Sequence, residues 1–349
     1  MSTTTTTYTY LSASCQQVLE SRLDSIPGTK VVVRSCMGDP RLSPTIIDHK
    51  CNGTVLTPSG LYADMAVEVG KHVWRHHRGQ TAGLPGFNVC DLEVHKPTIV
   101  KDPTKIDEHW LEVETTASIP AGTRGDILDA VLKCAFYSIT ADGKRTQENG
   151  HCSVRFEWYY GWLSEWSNEA ATINNRINTL HERGNKGGDS NIQIINKSRT
   201  YKLFQSFVDY TGKYQNMSEV VYDSATLEAT SLLTFLADPA TDCTGPYYLD
   251  GSCHISGFVA NAVEKDKDKN AFISNGVSAM KLSPRFDPAK KGSVIRNYVQ
   301  MKQLETDKTV LEGDVYILQD GEIVGVWESV RFKKIPRKVL NVFLQPPKK

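Results

Sequence analysis

The chain has 349 residues, 40% of them apolar, and its 40 lysines and arginines balance 40 aspartates and glutamates. That length suits one large or two smaller domains, and zero formal charge supplies no global field toward nucleic acid or anionic lipid. Eight cysteines without a CxxC pair support neither a zinc ribbon nor a thioredoxin-like centre; with no membrane-length apolar run and no signal-peptide pattern, a reduced, cytoplasmic protein is expected.

Residues 1–11, Thr-rich and polar, read as a disordered leader. Val31–Val33 reads as a strand, Gly38–Pro44 as a loop, and Ile46–His49 as a lead into a second loop, Lys50–Pro58. A helix is predicted over Ser59–His77, because Leu61, Met65, Val69 and Val73 recur every four residues; Thr57 or Ser59 suits its cap and Pro58 its first turn. Strands are expected at Leu92–Val100, Trp110–Thr116, Val131–Thr140 and Cys152–Trp158. A second helix spans Trp162–Leu180, with Trp162, Trp166, Ala170, Ile173, Ile177 and Leu180 on one face.

Gly-rich residues 182–192 read as a linker between halves at 12–181 and 193–349. The second half opens with a helix over Tyr201–Tyr210 and strands at Val220–Tyr222 and Leu227–Phe235. A loop then leads through Tyr247–Leu249 to a helix from about Gly251 to Val263, closed by the solvated run Glu264–Asn270. The last strands are Val294–Leu304, Val310–Gln319 and Glu322–Phe332, the final pair joined by an Asp320-Gly321 turn. Each half thus holds one long helix and an antiparallel set of strands.

Two constellations carry chemistry. In His49-x-x-x-Gly53-x-x-x-x-Pro58 a histidine precedes a glycine loop and a helix start, whose amides suit negative charge developing on a carbonyl oxygen. Gly53 and Pro58 equally suit a plain loop. In Asp250-x-x-x-His254 an aspartate at a helix start shares a face with a histidine, although an N-cap aspartate fits as well. The two motifs occupy matching places in the two halves, so packing the halves side by side would bring His49 toward Asp250. Asn275, in Ser274-Asn275-Gly276, is a secondary candidate for binding a substrate carbonyl, and a turn reading competes with it. The HxxxH of His72 and His76 has no third ligand, so no metal is expected; the basic stretch Arg331 to Lys338 reads as a solvated face.

HxxxGxxxxP with DxxxQ/H resembles the signature of the double-hotdog dehydratase superfamily. DHKCNGTVLTPSGLYADMA (Asp48–Ala66), YKLFQSFVDYTGKYQNMSEVV (Tyr201–Val221), GPYYLDGSCHISGFVANA (Gly245–Ala262) and FKKIPRKVL (Phe332–Leu340) further resemble product template domains of fungal non-reducing polyketide synthases. Cys51 and Gly60 depart from that family's usual valine and serine.

The resemblance implies an α+β double hotdog, two curved antiparallel sheets each wrapped around a long helix. It implies a cyclase that directs aldol ring closure and dehydrative aromatisation of a linear poly-β-ketone. His49 would be the base, Asp250 its partner, and His254, Gly53 and Pro58 their support. No cofactor would be bound: the substrate would ride on the 4'-phosphopantetheine of an acyl carrier protein. That carrier and the other synthase domains would be the partners, without nucleic acid or membrane, and homodimerisation is left open. A β-hydroxyacyl thioester dehydratase of the same fold and a non-catalytic acyl-chain-holding module are the alternatives.

Overall fold

Stretches rich in β-branched and aromatic residues form the strands of the first half, and the strands pair mostly with near sequence neighbours. The computed structural model describes residues 8–262, 266 and 268–344. In chain order come β1 (Gln17–Arg22), β2 (Lys30–Cys36), α1 (Ser43–Ile47), β3 (His49–Cys51), β4 (Thr54–Leu56) and α2 (Ser59–Arg78). Then follow β5 (Gly86–Val94), β6 (Ile99–Val100), β7 (Trp110–Ser118), β8 (Val131–Ile139), β9 (Arg145–Glu157) and α3 (Tyr159–Lys186). The second half holds β10 (Ile192–Asn196), α4 (Lys197–Phe204), β11 (Val208–Tyr210), β12 (Met217–Asp223), β13 (Glu228–Leu233) and α5 (Thr244–Asn261). It closes with β14 (Asn270–Ser274), β15 (Val277–Leu282), β16 (Ile295–Gln300), β17 (Lys302–Gln303), β18 (Val310–Gln319), β19 (Glu322–Pro336) and α6 (Arg337–Phe343).

The main sheet runs β1-β2-β7-β8-β9-β5 through the first half and β15-β19-β18-β16-β13-β12-β10 through the second. The halves join edge to edge where β5 pairs antiparallel with β15, from Phe87 opposite Leu282 to Leu92 opposite Val277. A small sheet, β11-β3-β4-β6, stands apart and mixes strands from both halves.

The apolar stripe of α2 enters the core completely: Leu61, Met65, Val69 and Val73 are each 0% exposed. Each such side chain contributes about 1.5–3 kcal/mol when buried. α5 is buried along nearly its whole length and shares one continuous core with α2. α3 packs on a separate cluster, where Trp162, Trp166, Ile173, Ile177 and Leu180 meet Ile192, Val221, Tyr298 and Val326.

Several expected boundaries move. Leader residues 1–7 lie outside the described residues, but Thr9 bridges to Val18, so the chain is ordered before residue 11. α3 continues to Lys186, taking Glu182 to Lys186 out of the expected linker; there Arg183 pairs with Asp223 and Asp189. The helix expected over Tyr201–Tyr210 is α4, which ends at Phe204, and Val208–Tyr210 forms β11 against β3. The single strand expected over Leu92–Val100 breaks before Pro97, where His95 and Lys96 donate their amides to the Asn149 carbonyl. Thr57 does not cap α2: Pro58 is the N-cap residue, and the Thr57 hydroxyl meets Tyr62 Oη at 2.7 Å. α5 starts at Thr244, seven residues before the expected Gly251, because Pro246 fits in its first turn, where no backbone donor is needed. Its expected end at Val263 lies outside the described residues.

Candidate active site

His49 opens β3, and Tyr210 of β11 pairs directly opposite it. Asn52 and Gly53, with φ of 52° and 78°, make a two-residue turn that folds β4 back on β3. This return brings the Leu56 carbonyl within 3.1 Å of His49 Nδ1. With Nδ1–H donating there, the assigned tautomer leaves Nε2 as the basic nitrogen. Gly53 therefore acts at the exposed tip of the hairpin, shaping the strand return behind His49.

Asp250 sits well inside α5 rather than at its cap. His254, one turn on, donates Nε2–H to Asp250 Oδ2 at 2.9 Å, and the Gly60 amide at the start of α2 also bonds the carboxylate. α2 and α5 press together here: a Cβ on Gly60 would stand 2.8 Å from that of Asp250. Pro58, as N-cap of α2, aims this first turn.

Two tyrosines bridge the two histidines. Tyr210 stacks on His254 with ring centroids 4.0 Å apart and lies 5.5 Å from the His49 ring. Tyr214 lies 6.0 Å from His49 and 5.9 Å from His254. Its hydroxyl and His254 Nδ1 are buried with no hydrogen-bond partner among the described residues. Buried orphan polar atoms cost free energy, and two of them lie close to His49 and to the residue that holds Asp250.

His49 and Asp250 are 8% and 9% exposed. Burial lowers the His49 pKa, and the Asp250 charge is the main influence opposing it, so the imidazole is neutral near neutral pH. Burial pushes Asp250 upward, but the His254 hydrogen bond, both imidazoles and the Gly60 amide outweigh it and hold the carboxyl below its usual range. A neutral imidazole thus lies within electrostatic reach of an ionised carboxylate. Burial pushes the neighbouring Cys51 thiol up to about 12, which removes it as a nucleophile.

The remaining candidates lie apart from this pair. Asn275 is exposed in the turn between β14 and β15, its backbone N–H donating to the Arg331 carbonyl. No contact among the described residues links it to His49 or Asp250. In the basic stretch, Arg331 and Lys333 pair with Glu312 and Asp307. Glu93, His95 and His151 bring three ligand-type atoms within 4.8 Å of one another, all exposed, with no hydrogen bond among the described residues orienting either imidazole. Two clefts of about 690 and 530 Å³ open elsewhere, beside α3 and α4.

The fold defines the class: a double hotdog of the dehydratase type. The dehydratase domain from the CurF module of a curacin polyketide synthase superposes with a TM-score of 0.61 at 14% identity, covering 93% of this chain and 99% of that one. The corresponding CurJ domain gives 0.63 at 11% identity, covering 94% and 99%. In sequence, the chain is similar to fungal non-reducing polyketide synthases. It is 39% identical over 342 residues to PKS1 of Zymoseptoria tritici, which covers 97% of the chain. It is 34% identical over 345 residues to synthase 1 of Elsinoe fawcettii, covering 98%. The chain spans about 15% of the length of these curated relatives. No family model matches it. No helix among the described residues is long and apolar enough to cross a membrane.

Sequence reasoning missed Tyr210, Tyr214 and the Gly60 amide. Their signal was faint: Tyr210 and Tyr214 lie in a segment whose aromatic spacing imitates a helix, and a backbone amide leaves no trace in composition.

Proposed function

We propose that the chain is a product template cyclase, directing aldol ring closure and aromatisation of a linear poly-β-ketone carried on the phosphopantetheine of an acyl carrier protein. The observation that carries this reading is the buried pairing of a neutral imidazole, anchored through Nδ1, with an ionised carboxylate from the other half of the chain. His49 Nε2 removes a proton from a methylene flanked by two carbonyls. The enolate carbon attacks a ketone farther along the same chain, and the new alkoxide takes the proton back from His49. Loss of a further C–H proton and of the hydroxyl as water, followed by enolisation of neighbouring ketones, gives the aromatic ring. Asp250 orients His49 and stabilises the transient imidazolium; His254 and Gly60 hold Asp250. The Tyr214 hydroxyl is available to a substrate oxygen. The other synthase domains and the carrier are the partners.

His49→Ala should lower directed cyclisation by about 10²–10⁴-fold and leave spontaneous pyrones. An unchanged product profile would point to a module that only holds the chain. The dehydratase-type fold favours one rival, a β-hydroxyacyl thioester dehydratase. Purified protein given both carrier-bound substrates separates them: alkene from the β-hydroxyacyl thioester, without any change in the poly-β-ketone products, rejects the cyclase.

A further inference from the structure

Two of the close approaches between α2 and α5 mirror one another, and exchanging the helices turns one contact into the other. Gly60, the second residue of α2, lies against Asp250 of α5. Gly245, the second residue of α5, lies against Asp64 of α2, so closely that a Cβ there would overlap the Asp64 carboxylate. Asp64 is 7% exposed, as buried as its counterpart, and none of its recorded hydrogen bonds goes to His49 or Asp250. Its Oδ2 accepts from Ser14 Oγ at 2.5 Å and stands 4.0 Å from Cys243 Sγ, the residue before α5. Glu68 and Lys71 approach from its own helix. Burial first, then Glu68, push this carboxyl up to about 7. An apolar side chain of similar volume would suit such a position at less cost, so packing alone gives no reason for a carboxyl.

We propose that Asp64 is a positioning residue: wedged against Gly245, it fixes the first turn of α5 and so sets where Asp250 stands relative to His49. α5 is a continuous helix from Gly245 to Asp250, and at 1.5 Å per residue the two are only about 7.5 Å apart along its axis. A shift of the first turn is therefore transmitted to Asp250. The inference rests on reading His49 and Asp250 as the working pair, but its test needs no substrate.

The test follows the His49 imidazole by NMR through a pH titration of the whole chain, with His49→Ala assigning the resonance. Asp250 raises the His49 midpoint above what burial alone would give. Asp64→Ala frees the start of α5 and should lower that midpoint by about half a unit, a fraction of the 1–3 units a close opposite charge supplies. Asp64→Asn keeps the shape and should hold the wild-type midpoint. Gly245→Ala should lower it with Asp64 present and leave it unaltered in the Asp64→Ala background, where the methyl has room. A folded Asp64→Ala protein with the wild-type midpoint overturns the proposal, as does Asp64→Asn falling as far as Asp64→Ala. If Asp64→Ala does not fold, Gly245→Ala alone decides, and an unmoved midpoint is the overturning result. Failure of cyclisation by the wild-type protein would count against the proposed function and would leave these titrations intact.

Discussion

Gly60→Ala inserts one methyl where α2 meets α5. The new Cβ would stand 2.8 Å from Asp250 Cβ, 2.9 Å from Asp250 N and 3.1 Å from the Pro246 carbonyl oxygen. Carbon atoms settle near 3.5–4.0 Å, so α2 and α5 must separate here by roughly 0.7–1.2 Å. No flexible side chain stands there to yield, because the opposing atoms are backbone or Cβ. Overpacking of this kind costs about 1–3 kcal/mol. The separation also draws the Gly60 amide from the Asp250 carboxylate and moves Asp250 relative to His49. A displacement near 1 Å at a reacting group costs about 10²-fold in rate. Calorimetry and the rate of cyclised product from a carrier-bound poly-β-ketone, run on the same preparation, read both effects. A Gly60→Ala protein with unchanged melting temperature and unchanged rate would refute the close approach of the helices as the device that places Asp250.

Other substitutions probe the same neighbourhood. Asp64 takes up a proton on folding at pH values between 3.8 and about 7, because burial raises its pKa; the stability it contributes is fully present below 3.8 and is lost as pH climbs through about 7. Asp64→Asn should abolish that loss, as read by urea unfolding at acid and alkaline pH; equal pH slopes in both proteins would contradict it. Asp250→Asn removes the charge that raises His49, so the imidazole midpoint, already below 6.5, should fall further, and a rise would count against the pairing. His49 and Asp250 both have lowered folded-state pKa values, so the stability they contribute is present above their unfolded values and is lost as pH falls through the folded ones. Tyr214→Phe deletes a buried orphan hydroxyl and should stabilise the fold by about 1 kcal/mol while slowing cyclisation; a lower melting temperature would reveal a bonded hydroxyl.

The α2 stripe and the α3 face were legible because burial imposes a helical period, and Leu61 to Val73 and Trp162 to Leu180 obey it. The expectation that His49 lies near Asp250 came from their matching places in the two halves, and each group shifts the other's pKa. What escaped was set by tertiary contact. Val208 to Tyr210 became a strand because β3 offers it a partner, overriding an aromatic spacing that suits a helix. Asp250 looked like a cap because Gly245 and Pro246 look like loop residues, whereas one makes room for Asp64 and the other occupies a donor-free turn. Asp64 itself carried a readable sign, an acid beside the apolar stripe of α2 and four residues after a glycine, as Asp250 follows Pro246.

The β5–β15 ladder makes the two halves one continuous sheet across their shared margin. Sliding or parting the halves there would break main-chain hydrogen bonds, so the register from Phe87 opposite Leu282 to Leu92 opposite Val277 fixes how the front lobe is set against the rear one.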